Sequence, residues 1–178
     1  GGVAAIFSLS IFFAIYYLLY SEILYDYILI SYSMFLVGFL DDLKINIKPF
    51  KRLIIMTLLL FLFIYFLPIN ILNIDIPFLV TLMSSHILSS VFVLLCFLFV
   101  INGANLIDGF NGLLTINLII INIILTHINM SNENLEFSIL LISQIIILLS
   151  FLLFNFPTAK IFLGDSGAYL FGALTSLN

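Results

Sequence analysis

Long apolar segments recur along the chain, and short polar stretches separate them. The segments are rich in Leu, Ile and Phe, and they lack the strict polar and apolar alternation of a membrane barrel strand. A helix that crosses the hydrocarbon layer needs about 20 residues, and about 17 are tolerated. The pattern predicts an all-α polytopic bundle of about seven spans, at roughly 3–20, 27–40, 53–69, 84–101, 113–128, 137–154 and from 166 onward. Because the second is short, we expect its helix to continue into the following loop or that loop to dip into the membrane.

The composition excludes a water-soluble globular protein. Hydrophobic residues make up 64% of the 178 residues, charged residues make up 8%, and the mean hydropathy is +1.35. So few charged side chains cannot cover a surface in water. Cys96, the single cysteine, lies inside an apolar run, so neither a disulfide nor a metal-ligand spacing is expected.

Both ends of the sequence fall where a complete protein would not be expected to start or stop. The chain begins Gly1-Gly2 without an initiator Met or a signal peptide, and it stops within an apolar run. We therefore expect a single integral-membrane domain, residues 1–178, that is truncated at both ends.

The basic residues all fall on one side of the predicted membrane topology. Seven spans place the connecting loops alternately on two sides, and all five cations lie in loops of the same side: Lys44, Lys48, Lys51, Arg52 and Lys160. Lysine and arginine accumulate in cytoplasmic loops, so this side is predicted to be the cytoplasm.

Four aspartates lie on the same predicted side, in three loops that also contain glycines and amides. Asp41 and Asp42 are adjacent at the end of a span, where two carboxylates repel each other and need a cation to stay ionised. A hard divalent ion would provide it. The alternative is a helix end whose carboxylates pair with Lys44 or Arg52.

The second loop repeats a polar residue at every third position. Asn102, Asn105 and Asp108 would form a polar stripe if this segment is helical, and the glycines after it would allow close approach to a phosphate. The alternative is an ordinary turn rich in Asn and Gly.

The third loop contains Asp165 immediately before the last span, where it could simply cap the helix. Phe162 offers a flat surface on which a base could stack, beside Lys160 as a partner for phosphate.

Together the three loops resemble the polyprenyl-phosphate N-acetylhexosamine-1-phosphate transferase family, over nearly the whole chain. The family has a Gly-Gly pair, matched by Gly1 and Gly2, followed by three cytoplasmic motifs in the same order as here. These motifs are Gly-Phe-x-Asp-Asp at 38–42, Asn-x-x-Asn-x-x-Asp-Gly-x-x-Gly-Leu at 102–113, and Pro-x-x-Lys-x-Phe-x-Gly-Asp-x-Gly at 157–167.

The resemblance implies a reaction and a role for each motif residue. A polyprenyl phosphate would attack the β-phosphate of a UDP-N-acetylhexosamine and release UMP, as the first membrane step of cell-envelope polysaccharide synthesis. Asp165 and Asn105 would hold Mg²⁺ or Mn²⁺, and the carboxylates Asp41 and Asp42 would deprotonate or orient the lipid phosphate. The remaining site residues would contact nucleotide or phosphate: Asp108, Asn102, Asn111, Phe162, Lys44 and Lys160.

The sequence departs from the family pattern at two positions. Asn111 stands where many members have aspartate, and Ala168 stands where many have serine, so donor choice and base recognition stay open. The Asp-Asp-Leu-Lys and Lys-Ile-Phe runs favour the branch that uses UDP-N-acetylglucosamine or a related sugar over the muramyl-pentapeptide branch.

The expected setting is the bacterial inner membrane, with the active site at its cytoplasmic face. The expected partners are the UDP-sugar, the polyprenyl phosphate and membrane lipid; no nucleic acid is expected, and a homodimer is open. The alternative function is a secondary transporter or ion channel whose aspartates bind a cation. A structural membrane subunit would leave the aspartates unexplained.

Overall fold

The structure of the chain is a computed structural model that describes residues 1–43, 45, 48–67 and 85–178. Within these residues it contains seven α-helices and no strand, as the apolar pattern predicts. They are α1 (Gly2–Tyr20), α2 (Tyr25–Asp42), α3 (Pro49–Phe66), α4 (His86–Ile107), α5 (Leu113–Ser131), α6 (Leu135–Asn155) and α7 (Gly164–Leu177).

Five of the helices are long and apolar enough to cross a membrane: α1, α3, α4, α5 and α6. Many of their large apolar side chains point outward, for example Leu18, Phe99 and Leu153, which are 78%, 76% and 80% exposed. Exposure on this scale is unfavourable in water and suits contact with lipid tails. The chain is therefore a multi-pass membrane protein.

Helices α2 and α4 extend beyond their predicted apolar segments into the motif loops that follow them. Helix α2 continues through both aspartates to Asp42, so of the two expected outcomes the continued helix is the one present. Helix α4 continues to Ile107, so Asn102 and Asn105 are helical and Asp108 follows at the helix end. The polar stripe predicted for this segment is thus on a helix, and the ordinary turn is confined to the residues after it.

Helix α7 forms the centre of the bundle. All nine residues from Ser166 to Leu174 are buried, and the helix packs against α1, α2 and α4, with a smaller contact to α5. Two close approaches depend on glycine. A Cβ atom on Gly172 would lie 2.9 Å from the Cα atom of Ile101, and one on Gly38 would collide with the backbone of Asp165.

The odd-numbered helices begin, and the even-numbered helices end, at one end of the bundle, which we call the carboxylate end. Hydrogen bonds join these termini: the Gly2 N–H donates to the Leu163 carbonyl oxygen at 2.8 Å, and the Gly112 N–H donates to Asn155 Oδ1 at 2.6 Å. At the opposite end the Tyr27 hydroxyl, near the start of α2, donates to Asn178 Oδ1 beyond the end of α7. The three aspartate-bearing loops therefore lie together, as the alternating topology predicts.

Candidate active site

Arg52 bridges two aspartates that lie 124 positions apart in the sequence. It begins the second turn of α3, and its Nη1 donates to Asp41 Oδ2 and, at 2.9 Å, to Asp165 Oδ2. All three side chains are about one-fifth to one-quarter exposed, so the ion pairs are partly shielded from water. The pairing of the first aspartate loop with Arg52, an alternative left open by the sequence, is present, and it also includes Asp165.

Asp42 caps the N-terminus of α7 from a neighbouring helix. Its Oδ1 accepts the Asp165 N–H at 3.0 Å, and its Oδ2 accepts the Ser166 N–H at 3.2 Å and the Ser166 hydroxyl at 2.5 Å. The first N–H groups of a helix have no partner within the helix, and a carboxylate also interacts favourably with the helix dipole there. The cap is therefore supplied by α2.

Asp165 does not cap its own helix, so that simpler explanation of its position is wrong. No side chain of the residue before α7 bonds to the helix, and the Asp165 carboxylate points to Arg52 and Asp41 instead. The physical reason is that Asp42 already holds the free N–H groups, which leaves the side chain of Asp165 available.

Asp108 joins the second loop to the third. Its Oδ2 accepts the Gly164 N–H at 3.1 Å. Gly164 has a φ of +76°, and a Cβ atom at this position would lie 2.9 Å from the Asp42 carboxylate. The left-handed backbone and the missing side chain let the third loop approach two carboxylates at once.

Burial and nearby negative charge raise the pKa of two of the carboxylates, Asp108 and Asp165. Burial raises the pKa of Asp108 to about 6, and the charge of Asp42 adds to this, while the hydrogen bond from Gly164 opposes it. Burial is the main cause that raises the pKa of Asp165. The hydrogen bond with Asp41 raises this pKa further, whereas the positive charge of Arg52 lowers it. A cation bound nearby would lower both pKa values, because it favours the ionised form.

Asn105 approaches the same cluster through Tyr169. Its Nδ2 donates to the Tyr169 hydroxyl at 3.3 Å, and the ring centroid of Tyr169 lies 5.4 Å from Cζ of Arg52. Asn102 behaves differently, since its Nδ2 donates to the carbonyl oxygen of Leu98 in the preceding turn of α4. Of the two amides in the predicted polar stripe, only Asn105 makes a hydrogen bond to another helix within the described residues.

A second pair of amides holds the loops against each other. Asn155, 2% exposed at the end of α6, accepts the Gly112 N–H through Oδ1 and donates through Nδ2 to the Ile161 carbonyl oxygen at 2.8 Å. Asn111 donates to the Pro157 carbonyl oxygen at 3.2 Å. In this structure Asn111, predicted to contact nucleotide or phosphate, braces the second loop on the third.

The remaining predicted contacts lie at the surface of the carboxylate end. Phe162 is 53% exposed and Lys160 is exposed, on the loop that leads to Asp165. Lys44 lies outside the described residues. The exposed ring and ammonium are available to a ligand that approaches this face.

The donor set suits a hard divalent cation held partly by substrate and water. In the part of the chain that the structure describes, no group of three His, Cys, Asp or Glu side chains is arranged to hold a metal ion. Mg²⁺ needs no complete protein cage, because it usually retains several waters and binds one or two carboxylates together with phosphate oxygens. Asp165 and Asn105, whose amide nitrogen is engaged by Tyr169, fit that pattern.

Sequence reasoning missed three residues of the site and treated Arg52 only as an alternative ion-pair partner. Ser166 and Tyr169 contact the aspartate loops from α7, and Asn155 joins two loops. The useful signal was the presence of polar side chains in strongly apolar helices, since such side chains need partners.

Comparison with known proteins finds one matching family model and two curated relatives. The model for glycosyl transferase family 4 matches residues 24–177. The chain is 30% identical over 151 residues to a phospho-N-acetylmuramoyl-pentapeptide-transferase of Streptococcus thermophilus strain CNRZ 1066, and 31% identical to the protein of that name from strain LMG 18311. Each match covers 80% of this chain and 44% of the relative, so the chain spans less than half the length of these curated relatives.

Proposed function

Because the chain belongs to glycosyl transferase family 4, we propose that the full-length protein transfers a sugar phosphate from a nucleotide sugar to a polyprenyl phosphate. The observation that carries this proposal is the meeting of Asp41, Asp108, Asp165 and Arg52 at one end of a membrane bundle. A water-soluble diphosphate and a lipid headgroup can both reach such a place. Family membership also argues against a transporter or channel.

The two reacting groups are both anions, so the site must position them and neutralise their charge. Bound Mg²⁺ or Mn²⁺ would supply charge neutralisation for the diphosphate, held by Asp165 and Asn105. Arg52 would donate to a phosphate oxygen from its place between Asp41 and Asp165. Lys160 would contribute a further positive charge from the loop surface.

The adjacent aspartates have different surroundings, which supports different roles. Both oxygens of Asp42 already accept hydrogen bonds from α7, so Asp42 would hold Asp165 in place. Among the described residues Asp41 bonds to the side chains of Arg52 and Asp165, and it would be the group that receives a proton from the lipid phosphate or orients it. Asp108, Asn102, Asn111 and Phe162 would contact the nucleotide or its phosphates.

We retain a UDP-N-acetylhexosamine as the proposed donor, and undecaprenyl phosphate as the proposed acceptor. The support is the sequence of the first and third motifs, Asp-Asp-Leu-Lys and Lys-Ile-Phe. The setting would be the cytoplasmic face of a bacterial inner membrane, in the synthesis of a cell-envelope polysaccharide.

The direct test is the exchange of radiolabelled UMP into UDP-sugar by the purified full-length protein. We expect exchange that requires Mg²⁺ and polyprenyl phosphate, and a loss of at least 100-fold in Asp165→Asn, because a neutral amide binds the cation less well and no longer pairs with Arg52. Glu133→Gln, an exposed carboxylate at the opposite end of the bundle, is the matched control and should keep full activity.

Offering UDP-N-acetylglucosamine and UDP-N-acetylmuramoyl-pentapeptide in competition identifies the donor. Exchange with the pentapeptide donor alone would refute the proposed branch and leave the reaction class intact. Exchange in Asp165→Asn at the wild-type rate would refute the metal assignment.

A further inference from the structure

Tyr169 is a buried tyrosine in the most tightly packed helix of the bundle. It is 0% exposed, and its neighbours along α7 from Gly167 to Leu174 are otherwise small or apolar. A buried hydroxyl costs free energy unless it forms a hydrogen bond. Phenylalanine would fill this position without needing a hydrogen bond, so the presence of the hydroxyl requires a specific explanation.

The two contacts of Tyr169 reach two different helices. Its ring centroid lies 5.4 Å from Cζ of Arg52 on α3, within the range of a cation–π interaction. Its hydroxyl oxygen lies 3.3 Å from Nδ2 of Asn105 on α4 and accepts a hydrogen bond from it. Tyr169 therefore connects Arg52, which bridges Asp41 and Asp165, with an amide of the second loop.

Each contact fixes something that the site needs. The guanidinium of Arg52 lies against the ring, which restricts it to the position where Nη1 meets both carboxylates. The Tyr169 hydroxyl accepts a hydrogen bond from the amide nitrogen of Asn105, and this contact holds the amide with its oxygen turned away from the tyrosine. The carbonyl oxygen of Asn105 is then the atom left to bind a cation.

We propose that Tyr169 is a positioning residue, which holds Arg52 through its ring and orients the Asn105 amide for a divalent cation through its hydroxyl. This inference rests on the proposed function, since it concerns the same site. Partners that orient a metal ligand typically change metal affinity 10- to 100-fold when they are removed.

The test measures Mn²⁺ binding to the full-length protein by electron paramagnetic resonance, with UMP exchange recorded separately. Tyr169→Phe keeps the ring and removes only the hydroxyl, and we expect Mn²⁺ binding about 10-fold weaker. Phe171→Leu, a change of a fully buried aromatic residue two positions along the same helix, controls for lost packing and should leave Mn²⁺ binding unchanged.

A second variant separates orientation from packing. A carboxylate has two equivalent oxygens, so in Asn105→Asp the hydroxyl no longer decides which atom binds the cation. Tyr169→Phe should therefore have no further effect on Mn²⁺ affinity in the Asn105→Asp background, and the double-mutant cycle should show coupling. Additive effects, or a Tyr169→Phe protein that binds Mn²⁺ as wild type does, would overturn the proposal.

The ring contact has its own readout. Tyr169→Leu should weaken Mn²⁺ binding as Tyr169→Phe does, and it should also lower kcat for UMP exchange below that of Tyr169→Phe, because Arg52 loses its support. Equal kcat in the two variants would overturn the role of the ring. If the wild-type protein binds Mn²⁺ but catalyses no exchange, the proposed function fails while the role of the hydroxyl is still measured by metal binding.

Discussion

At the scale of single residues, four chemically identical side chains have four different surroundings. Asp41 lies against Arg52, Asp42 against the N–H groups of α7, Asp108 against the N–H of Gly164, and Asp165 against Arg52 and Asp41. Burial, nearby charge and hydrogen bonding set the proton affinity of a carboxylate. The environment, more than the residue type, therefore separates a helix cap from a candidate base and a candidate cation ligand.

The capping role of Asp42 gives a stability prediction. Asp42→Ala leaves the Asp165 and Ser166 N–H groups without their acceptor, and loss of an N-cap costs about 1 kcal/mol, within a range of about 0.5–2. Asp42→Asn keeps one acceptor oxygen and should lose less. Thermal unfolding of the detergent-solubilised protein should rank wild type above Asp42→Asn and Asp42→Ala lowest; an alanine variant as stable as wild type would contradict the cap.

The sequence alone indicates which residue types form the site, but it does not indicate several of their hydrogen-bond and ion-pair partners. Aspartates and amides stand out because the chain around them is apolar. The contact between Asp42 and Ser166 spans 124 positions, and no local pattern indicates which carboxylate meets which helix. Arg52 was visible as a neighbour of the first loop, whereas its bond to Asp165 depends on where α7 begins.

At the scale of elements, α5 and α6 form a hairpin that carries polar side chains inside the membrane. Asn122 and Gln144 are both 0% exposed, and Asn122 Nδ2 donates to Gln144 Oε1 at 3.4 Å. In lipid there is little hydrophobic drive between helices, so packing and interhelical hydrogen bonds hold them together. This pair fixes the hairpin whose ends carry Gly112 and Asn155.

Removal of the pair should loosen the hairpin by a modest amount. Gln144→Leu leaves the Asn122 amide buried without a partner, and we expect a loss of about 1 kcal/mol in the free energy of unfolding, in line with interhelical hydrogen bonds in membranes. The double variant Asn122→Leu, Gln144→Leu should recover part of it, because neither of these two positions then carries a buried polar side chain without a partner. Steric trapping or thermal unfolding in detergent measures the difference, and a double variant less stable than Gln144→Leu would count against the pair.

At the scale of the whole molecule, the helices alternate in direction, so the loops with cations and motif aspartates gather at one end. Among the described residues the basic side chains lie at the carboxylate end, as Lys48, Lys51, Arg52 and Lys160. The other end of the bundle carries Glu22 and Glu133 in its loops, and Asp26 and Glu136 in the first turns of α2 and α6. This asymmetry predicts that the carboxylate end faces the cytoplasm.

Cysteine labelling tests that orientation in intact cells. In a Cys96→Ala background, Lys160→Cys should resist a membrane-impermeant maleimide until the membrane is opened, whereas Asn132→Cys should react at once. Both positions are exposed in the structure, which makes them matched sites at opposite ends of the bundle. The reverse labelling pattern would place the site on the outer face and would rule out a cytosolic donor.

The sequence by itself determined that the chain lies in lipid, that its apolar segments are helices, and that the helix ends alternate between two sides. Hydrophobic segments of membrane length permit no other regular structure than helices in a chain without barrel alternation, and the motifs identified the family. Tertiary structure alone decided that Asp42 caps α7, that Arg52 joins Asp41 to Asp165, and that Tyr169 links Arg52 to Asn105. These contacts join helices far apart in the chain, and they form only because the packing of α7 against α2 and α4 brings the side chains within hydrogen-bond distance.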